Sequence, residues 1–283
     1  MTICVTVLAH NEERRIGTCL ASLPLGAEGV DVHVVVNGST DRTAEIARGF
    51  DGVTVHEYEQ GGKSRSWNRF MLDGDAPKAD CYVFVDGDAE IAQGSVQALG
   101  RCLAANPGAN AAAAFPRNGR KAAVYAEAIA REHGLFGDLY ALSGSFVAIL
   151  RERSIRLPDD LIGDDGLICA IAKTDGRNED HWDDHRVVPC SGAGFLCEPT
   201  VLSPASLSIQ YRRMVNYAVR HFQNRIVSHI MRGEGPEALP RELASLYPEW
   251  LPRFAPRRSP QWWWFDRLAL ARMARAATAY SAG

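Results

Sequence analysis

From Ile3 to Val85 the chain alternates short apolar runs with segments of helical spacing, and no other feature of the sequence restricts the fold as much. Ile3–Leu8, Val30–Val36, Val53–Val55 and Ala79–Val85 are rich in β-branched and aromatic residues. Such runs read as strands, with Val53–Val55 a short one and Tyr82–Val85 buried on both faces. Between them, Arg14–Leu23 sets Ile16, Leu20 and Leu23 at helical spacing and stops at Pro24. Arg42–Phe50 does the same with Ala44, Ile46 and Ala47, and Gly61-Gly62-Lys63-Ser64 opens a helix through Met71. Strand and helix in strict alternation imply a mostly parallel sheet with helices on both faces. Ligands of such sheets bind outside the carboxyl ends of the strands.

The strand ends are where the polar residues collect. The run Cys81–Val85 stops at Asp86-Gly87-Asp88. Side chains at i and i+2 of extended chain point the same way, and two converging carboxylates repel unless a cation joins them. A hard divalent ion, Mn²⁺ or Mg²⁺, suits oxygen donors, and phosphates usually complete its shell. By itself Asp-Gly is equally a surface turn. Three further strand ends carry Ala9-His10-Asn11-Glu12, Asn37-Gly38-Ser39-Thr40-Asp41 and Gly61-Gly62-Lys63. Each alone is an ordinary turn, helix cap or loop. All four facing one rim of one sheet read as a site for a nucleoside diphosphate, with Lys63 beside a phosphate and a helix N-terminus offered to an anion.

With 283 residues, 46% of them hydrophobic, the chain can bury a large core. The net charge of −3 is unevenly spread: from Arg212 to Gly283 there are 12 Arg, no Lys and 5 acids, a balance of +7, which leaves −10 for the rest. A basic tail on an acidic body suits an anionic lipid surface, a phosphate or the chain's own acidic part. Nucleic acid is not an expected partner. Seven cysteines without CxxC spacing point to a reducing compartment and away from structural zinc. No secretory signal pattern and no apolar stretch of membrane-spanning length is present, so the expected location is cytoplasmic, with attachment to the inner face of the membrane as one use of the tail.

The segments VTVLAHNEERRIGTCLASL (Val5–Leu23), VVVNGSTDRTAEIA (Val34–Ala47), GGKSRSWNRFM (Gly61–Met71) and VFVDGDAEI (Val83–Ile91) resemble, in order and spacing, the nucleotide-binding half of inverting family 2 glycosyltransferases of the GT-A fold. VFVDGDAEI is similar to that family's DxD motif. Asp164-Asp165 resembles its Glu-Asp pair, whose second acid is the general base, and Gln210-Tyr211-Arg212-Arg213-Met214 resembles its QxxRW motif with Met in place of Trp. Other departures are His10 where Tyr is frequent and Val36-Asn37 where two Asp are frequent.

The resemblance implies an α/β GT-A domain over residues 1–232, with a nucleotide half (1–110) and an acceptor half (111–232). It implies a metal-dependent inverting transferase moving a sugar from a nucleoside-diphosphate sugar to a hydroxyl acceptor. Asp86 and Asp88 would hold Mn²⁺ or Mg²⁺. Ala9, His10, Glu12, Asn37, Lys63, Asp86, Arg212 and Arg213 would line the donor. Asp165, with Asp164 beside it, would take the acceptor's proton, as direct displacement opposite the departing diphosphate requires. A retaining GT-A transferase and a non-catalytic nucleotide-sugar binder or scaffold are the rival readings. A sugar-nucleotide pyrophosphorylase would need a Gly-rich loop where Ala9-His10-Asn11-Glu12 stands.

Beyond the first half, Ser95–Leu103 and Lys121–His133 are expected helices and Ala111–Phe115 a strand. Leu142–Leu150 resembles the family's Gly-containing strand that lines the acceptor pocket, and Gly134–Tyr140 reads as a mobile segment above that site. Asp159 and Asp160 read as solvated loop acids, and His181 and His185 as part of an exposed polar loop. Residues 233–283 read as a proline-rich linker followed by a basic amphipathic helix. Arg267, Arg272 and Arg275 lie on one arc of that helix, and Trp262, Phe265, Ala269, Leu270, Met273 and Ala276 on the other. It suits a membrane interface, the catalytic domain or a second subunit.

Overall fold

The computed structural model describes residues 1–197 and 204–282. The alternation expected from sequence is present: β1 (Ile3–Ala9), α1 (Ile16–Ala21), β2 (Val30–Asn37), α2 (Thr43–Arg48), β3 (Val53–Tyr58), α3 (Lys63–Leu72) and β4 (Cys81–Asp86). Then follow β5 (Glu90–Ile91), α4 (Ser95–Ala105), β6 (Ala111–Pro116), α5 (Ala122–Glu132), β7 (Leu139–Ser143), α6 (Gly144–Glu152), α7 (Asp164–Lys173) and β8 (Val187–Leu196). The C-terminal part is helical: α8 (Pro204–Arg232), α9 (Tyr247–Trp250) and α10 (Pro260–Ala282), with short 3₁₀ turns between.

One sheet runs in the order β3-β2-β1-β4-β7-β6-β8-β5. The first four neighbours are parallel, while β7 enters antiparallel between β4 and β6. Register sets the rim. Leu8 of β1 lies opposite Asp86, Ala9 opposite Val36, and Asn37 opposite Tyr58, so all four early loops emerge at one level. Period-two alternation sends Val5, Val7, Val83 and Val85 to the face covered by Ile16, Leu20 and Leu99. Cys4, Tyr82 and Phe84 go to the other face, with Trp67, Phe146 and Phe222. There Phe84 stacks on Tyr140 at 4.9 Å and meets Trp67 at 5.6 Å, beneath the end of β4 that carries Asp86.

Several expectations for the second half need correction. Leu142–Leu150 is not one strand. The strand stops at Ser143, whose hydroxyl accepts from the Phe146 N–H at 3.2 Å and caps α6. A short apolar run is compatible with either periodicity, and the serine cap decides it. The segment 134–138 is a packed turn: Leu135 is buried and Phe136 lies 5.3 Å from Phe195. Asp159 and Asp160 are not solvated. Asp159 is buried and accepts from Asn68 at 3.0 Å, with Arg65 and Arg241 at 3.4 Å, and Asp160 accepts from the N–H groups of Leu243 and Ala244 at 2.7 and 2.9 Å. Their partners are more than eighty residues away, beyond the reach of local pattern. Those bonds also draw the proline-rich stretch onto the domain, where Leu243, Ala244 and Tyr247 are buried.

The last helix, α10, packs along α8. Its inner face is Asp266, Ala269, Met273 and Ala277, so the buried stripe runs through a carboxylate. Asp266 has no exposed surface and accepts from Arg257 three times, from its N–H at 2.7 Å, Nε at 2.9 Å and Nη2 at 2.7 Å. Burial opposes its ionised form, but the Arg257 bonds win and hold the carboxyl below its usual range. A depressed carboxyl contributes stability above its unfolded-state pKa and loses it as pH falls through the folded one. Asp266→Asn is therefore expected to cost roughly 2–4 kcal/mol at neutral pH. In urea unfolding the gap to wild type should close at acidic pH; an equal gap at all pH values would refute this account.

Among the described residues no helix is long and apolar enough to cross a membrane. All seven cysteines are free thiols, five of them buried.

Candidate active site

Where the parallel strands end, a cleft of about 600 Å³ opens, lined by Leu8, His10, Glu12, Asn37, Gly61, Gly62, Lys63, Asp86, Gly87, Asp88, Asn216 and Arg272. Its volume is in the range of small-molecule and cofactor sites. The residues expected from the first four strand ends converge here, with Ala9 directly behind them in β1.

The loops are tied to one another. Asn37 is buried; its Nδ2 donates to Ala9 O at 2.9 Å and its Oδ1 accepts from Gly62 N at 3.3 Å, so it knits the first, second and third loops. His10 Nδ1 sits 2.6 Å from Asn37 O. A carbonyl only accepts, so Nδ1 carries the proton and Nε2 is free to accept from Asn11 at 3.2 Å. His10 thus presents its ring edge to the cleft in a set orientation. Gly87 is required by close approach, because a Cβ there would lie 2.9 Å from Ala9 Cβ. The two carboxylates of Asp86-Gly87-Asp88 can therefore fold back over the end of β1.

Asp138 joins them. Carboxylate oxygens of Asp86, Asp88 and Asp138 all lie within 4.8 Å of one another. Sequence reading missed Asp138, since no motif marks it; antiparallel pairing of β7 with β4 delivers it from the turn before Leu139. Burial, with Asp138 and Asp164 adding to it against Lys63, pushes the Asp86 carboxyl up to about 7. Burial and the Asp88 charge push Asp138 up to about 6. Three converging hard oxygen donors that destabilise one another's ionised forms fit a divalent cation.

A second charged group stands beside this triad. Lys63 Nζ lies 2.6 Å from Asp86 Oδ1 and 3.4 Å from Asp164 Oδ1. Burial alone would lower the Lys63 pKa, but Asp164 and Asp86 outweigh it and hold the ammonium well above its ordinary value. Asp164 is buried, and its Oδ2 and the Tyr140 hydroxyl have no hydrogen-bond partner among the described residues. Asp165 points differently, accepting from Arg220 Nη2 at 3.0 Å. Gly163 makes this possible: with φ +88 it caps α7 in the left-handed region, and Arg220 lies across the space a side chain there would fill. The Gly137 Cβ direction measures the gap between the two groups of acids. An atom there would lie 3.5 Å from Asp86 Oδ2, 3.4 Å from Lys63 Nζ and 3.9 Å from Asp165 Cβ.

The two arginines of the QxxRW-like segment are not among the cleft-lining residues. Arg212 and Arg213 are exposed on α8, and Arg213 is close enough to act on the Cys197 thiol, which in turn contacts Asp138 at 3.7 Å. His181 and His185 are exposed, and the His185 ring packs on His133 at 5.6 Å, away from the triad. Sequence reading also missed Arg220, Asn216 and Arg272, all delivered by the C-terminal helices.

Comparison with known proteins gives the fold and the family. Protein RfbJ of Shigella flexneri is 34% identical over 86 residues, 30% of this chain and 64% of that protein, so the match spans less than two thirds of the relative. The mannosyltransferase PcManGT of Pyrobaculum calidifontis, solved with GDP-Man and Mn²⁺, superposes with a TM-score of 0.60 at 20% identity, over 99% of this chain and 75% of its own. Glucosyl-3-phosphoglycerate synthase of Mycobacterium tuberculosis, solved with Mn²⁺, UDP-Glc and phosphoglyceric acid, gives a TM-score of 0.56 at 21% identity over 84% and 80%. These likenesses establish the GT-A fold. Residues 4–156, more than half of the chain, match the family described as Glycosyl transferase family 2, and the chain belongs to this family of glycosyltransferases.

Proposed function

We propose that this enzyme transfers a sugar from a nucleoside-diphosphate sugar to a hydroxyl-bearing acceptor with inversion, and that it needs a divalent cation. The observation that carries the reading is the pairing of two acidic groups across Gly137: the Asp86, Asp88, Asp138 triad on one side and Asp165 on the other. The triad would hold Mn²⁺ or Mg²⁺, which when bound neutralises charge on the departing diphosphate. His10, Glu12 and Asn37 form the wall for the nucleoside, with Ala9 supplying backbone behind it. Arg212 and Arg213 stand outside the cleft as cations for the outer part of the donor.

Asp165 is the proposed base. Arg220 holds and aims its carboxylate, which can accept a proton from an acceptor hydroxyl. Asp164 is the positioning partner. Through Lys63 it links the triad to the first turn of α7. Within this reading residues 1–232 carry the proposed metal and base residues, and residues 233–282 pack on them and bring Arg272 to the cleft.

Two measurements test the proposal. Thermal unfolding with GDP, UDP and other nucleoside diphosphates should show a stabilisation that requires Mn²⁺ with at least one of them, because ligand binding to the native state raises the midpoint. NMR of the first-formed sugar during slow donor hydrolysis, with water replacing the acceptor, should show the inverted anomer. A retained anomer would support the retaining reading, and absence of any nucleotide effect the non-catalytic one.

A further inference from the structure

The donor cleft contains a cation that no strand-end motif supplies. Arg272 belongs to α10, the last helix, and lines the cleft together with Asn216 of α8. Its Nη1 donates to Asn216 Oδ1 at 2.8 Å. Arg272 is exposed and makes no ion pair among the described residues, in contrast to Arg220, held by Asp165, and Arg257, held by Asp266. Both residues lie beyond residues 4–156, the part matched by the family.

The charges in the cleft show what Arg272 is for. Its wall contributes Asp86 and Asp88, with Asp138 alongside. Among the described residues the other lining Lys or Arg is Lys63, already bound to Asp86 and Asp164. A divalent ion would offset part of the triad's charge, but a diphosphate entering beside it brings two further negative charges. Uncompensated like charges in a partly buried cleft raise one another's free energy steeply. Among the described residues Arg272 is the lining cation without an ion pair, and its planar fork suits phosphate oxygens. Asn216 uses one N–H of that fork and orients the others.

We infer that Asn216 and Arg272 form an anion subsite for the donor's phosphates, so that the C-terminal helix completes the donor site. This rests on the nucleoside-diphosphate-sugar reading above. It also assigns a task to the packing of Asp266, Ala269 and Met273 against the domain. Asp266 and Ala269 lie six and three residues before Arg272, on the inward face of α10, and that docked face holds Arg272 over the cleft.

The test is isothermal titration of the full chain with UDP and with GDP, each with Mn²⁺, for wild type, Arg272→Gln, Arg272→Lys and Arg275→Gln. Arg275 is exposed on the same helix and does not line the cleft. Arg272→Gln should weaken the bound diphosphate by about tenfold or more, the loss expected for a charge-assisted hydrogen bond. Arg272→Lys should recover part of it, and Arg275→Gln should match wild type. The dependence of affinity on salt should also flatten in Arg272→Gln, which a merely structural role would not cause. Wild-type binding with Arg272→Gln within twofold of it would overturn the subsite and leave the transferase reading standing. Failure of wild type to bind either diphosphate would overturn both.

Discussion

Asp88→Asn is expected to lower kcat/KM by roughly three orders of magnitude or more, the several kcal/mol that a catalytic cation supplies to a leaving group. The argument rests on placement. Asp88 is half-buried at the cleft wall, and its carboxylate shares a 4.8 Å neighbourhood with those of Asp86 and Asp138. Removing one of three mutually repelling charges also has a stability consequence of opposite sign. The free protein should unfold at an equal or higher temperature than wild type, because Asp138, whose carboxyl the Asp88 charge helps push up, loses that repulsion. The stabilisation by Mn²⁺ with nucleotide should vanish. Calorimetry with and without the ion checks both. Loss of activity with a collapsed melting temperature would indicate a structural lesion, and retained activity would remove the triad from the mechanism.

Asp165→Asn is expected to lower kcat by about 10²–10⁴-fold, the range for losing a positioned proton acceptor, with nucleotide binding unchanged. Asp165 stands outside the triad, and its Oδ1 contact to Arg220 can survive as an amide oxygen accepting the same N–H. The variant should therefore keep the wild-type melting temperature and the wild-type Mn²⁺-dependent shift. Turnover by single-time-point assay and titration of the diphosphate, taken together, separate the two roles. If Asp164→Asn removes activity at constant donor affinity while Asp165→Asn does not, the base assignment moves to the acid held by Lys63.

The first four loops were readable because each follows a strand of one parallel sheet. Ala9, Val36 and Val85 are apolar for packing reasons, and the polar residue after each, His10, Asn37 and Asp86, is then forced to the same rim. Asp86, Asp88, Asn37 and Lys63 could be named from sequence on that ground alone. Asp138 could not, because it lies on a turn before an antiparallel strand, and nothing in Gly134–Tyr140 reveals that β7 inserts beside β4. Asp159 and Asp160 illustrate the same limit. A carboxylate in a loop is solvated unless something distant arrives, and here Arg241, Leu243 and Ala244 arrive from the tail.

The helical tail shows the division most clearly. Helical periodicity and the basic arc of α10 follow from spacing, which is a property of adjacent residues. Which surface that helix covers depends on contacts across more than fifty residues, such as Arg272 with Asn216. Sequence alone determined the parallel α/β sheet, the rim on which its strand-end loops gather, and the pair of aspartates at its centre, since all of these follow from burial and local geometry. Tertiary structure decided the third carboxylate, the Arg220 partner of Asp165 and the closing of the cleft by the last helix. Those depend on long-range pairing, where the free energy lies in contacts that local pattern does not encode.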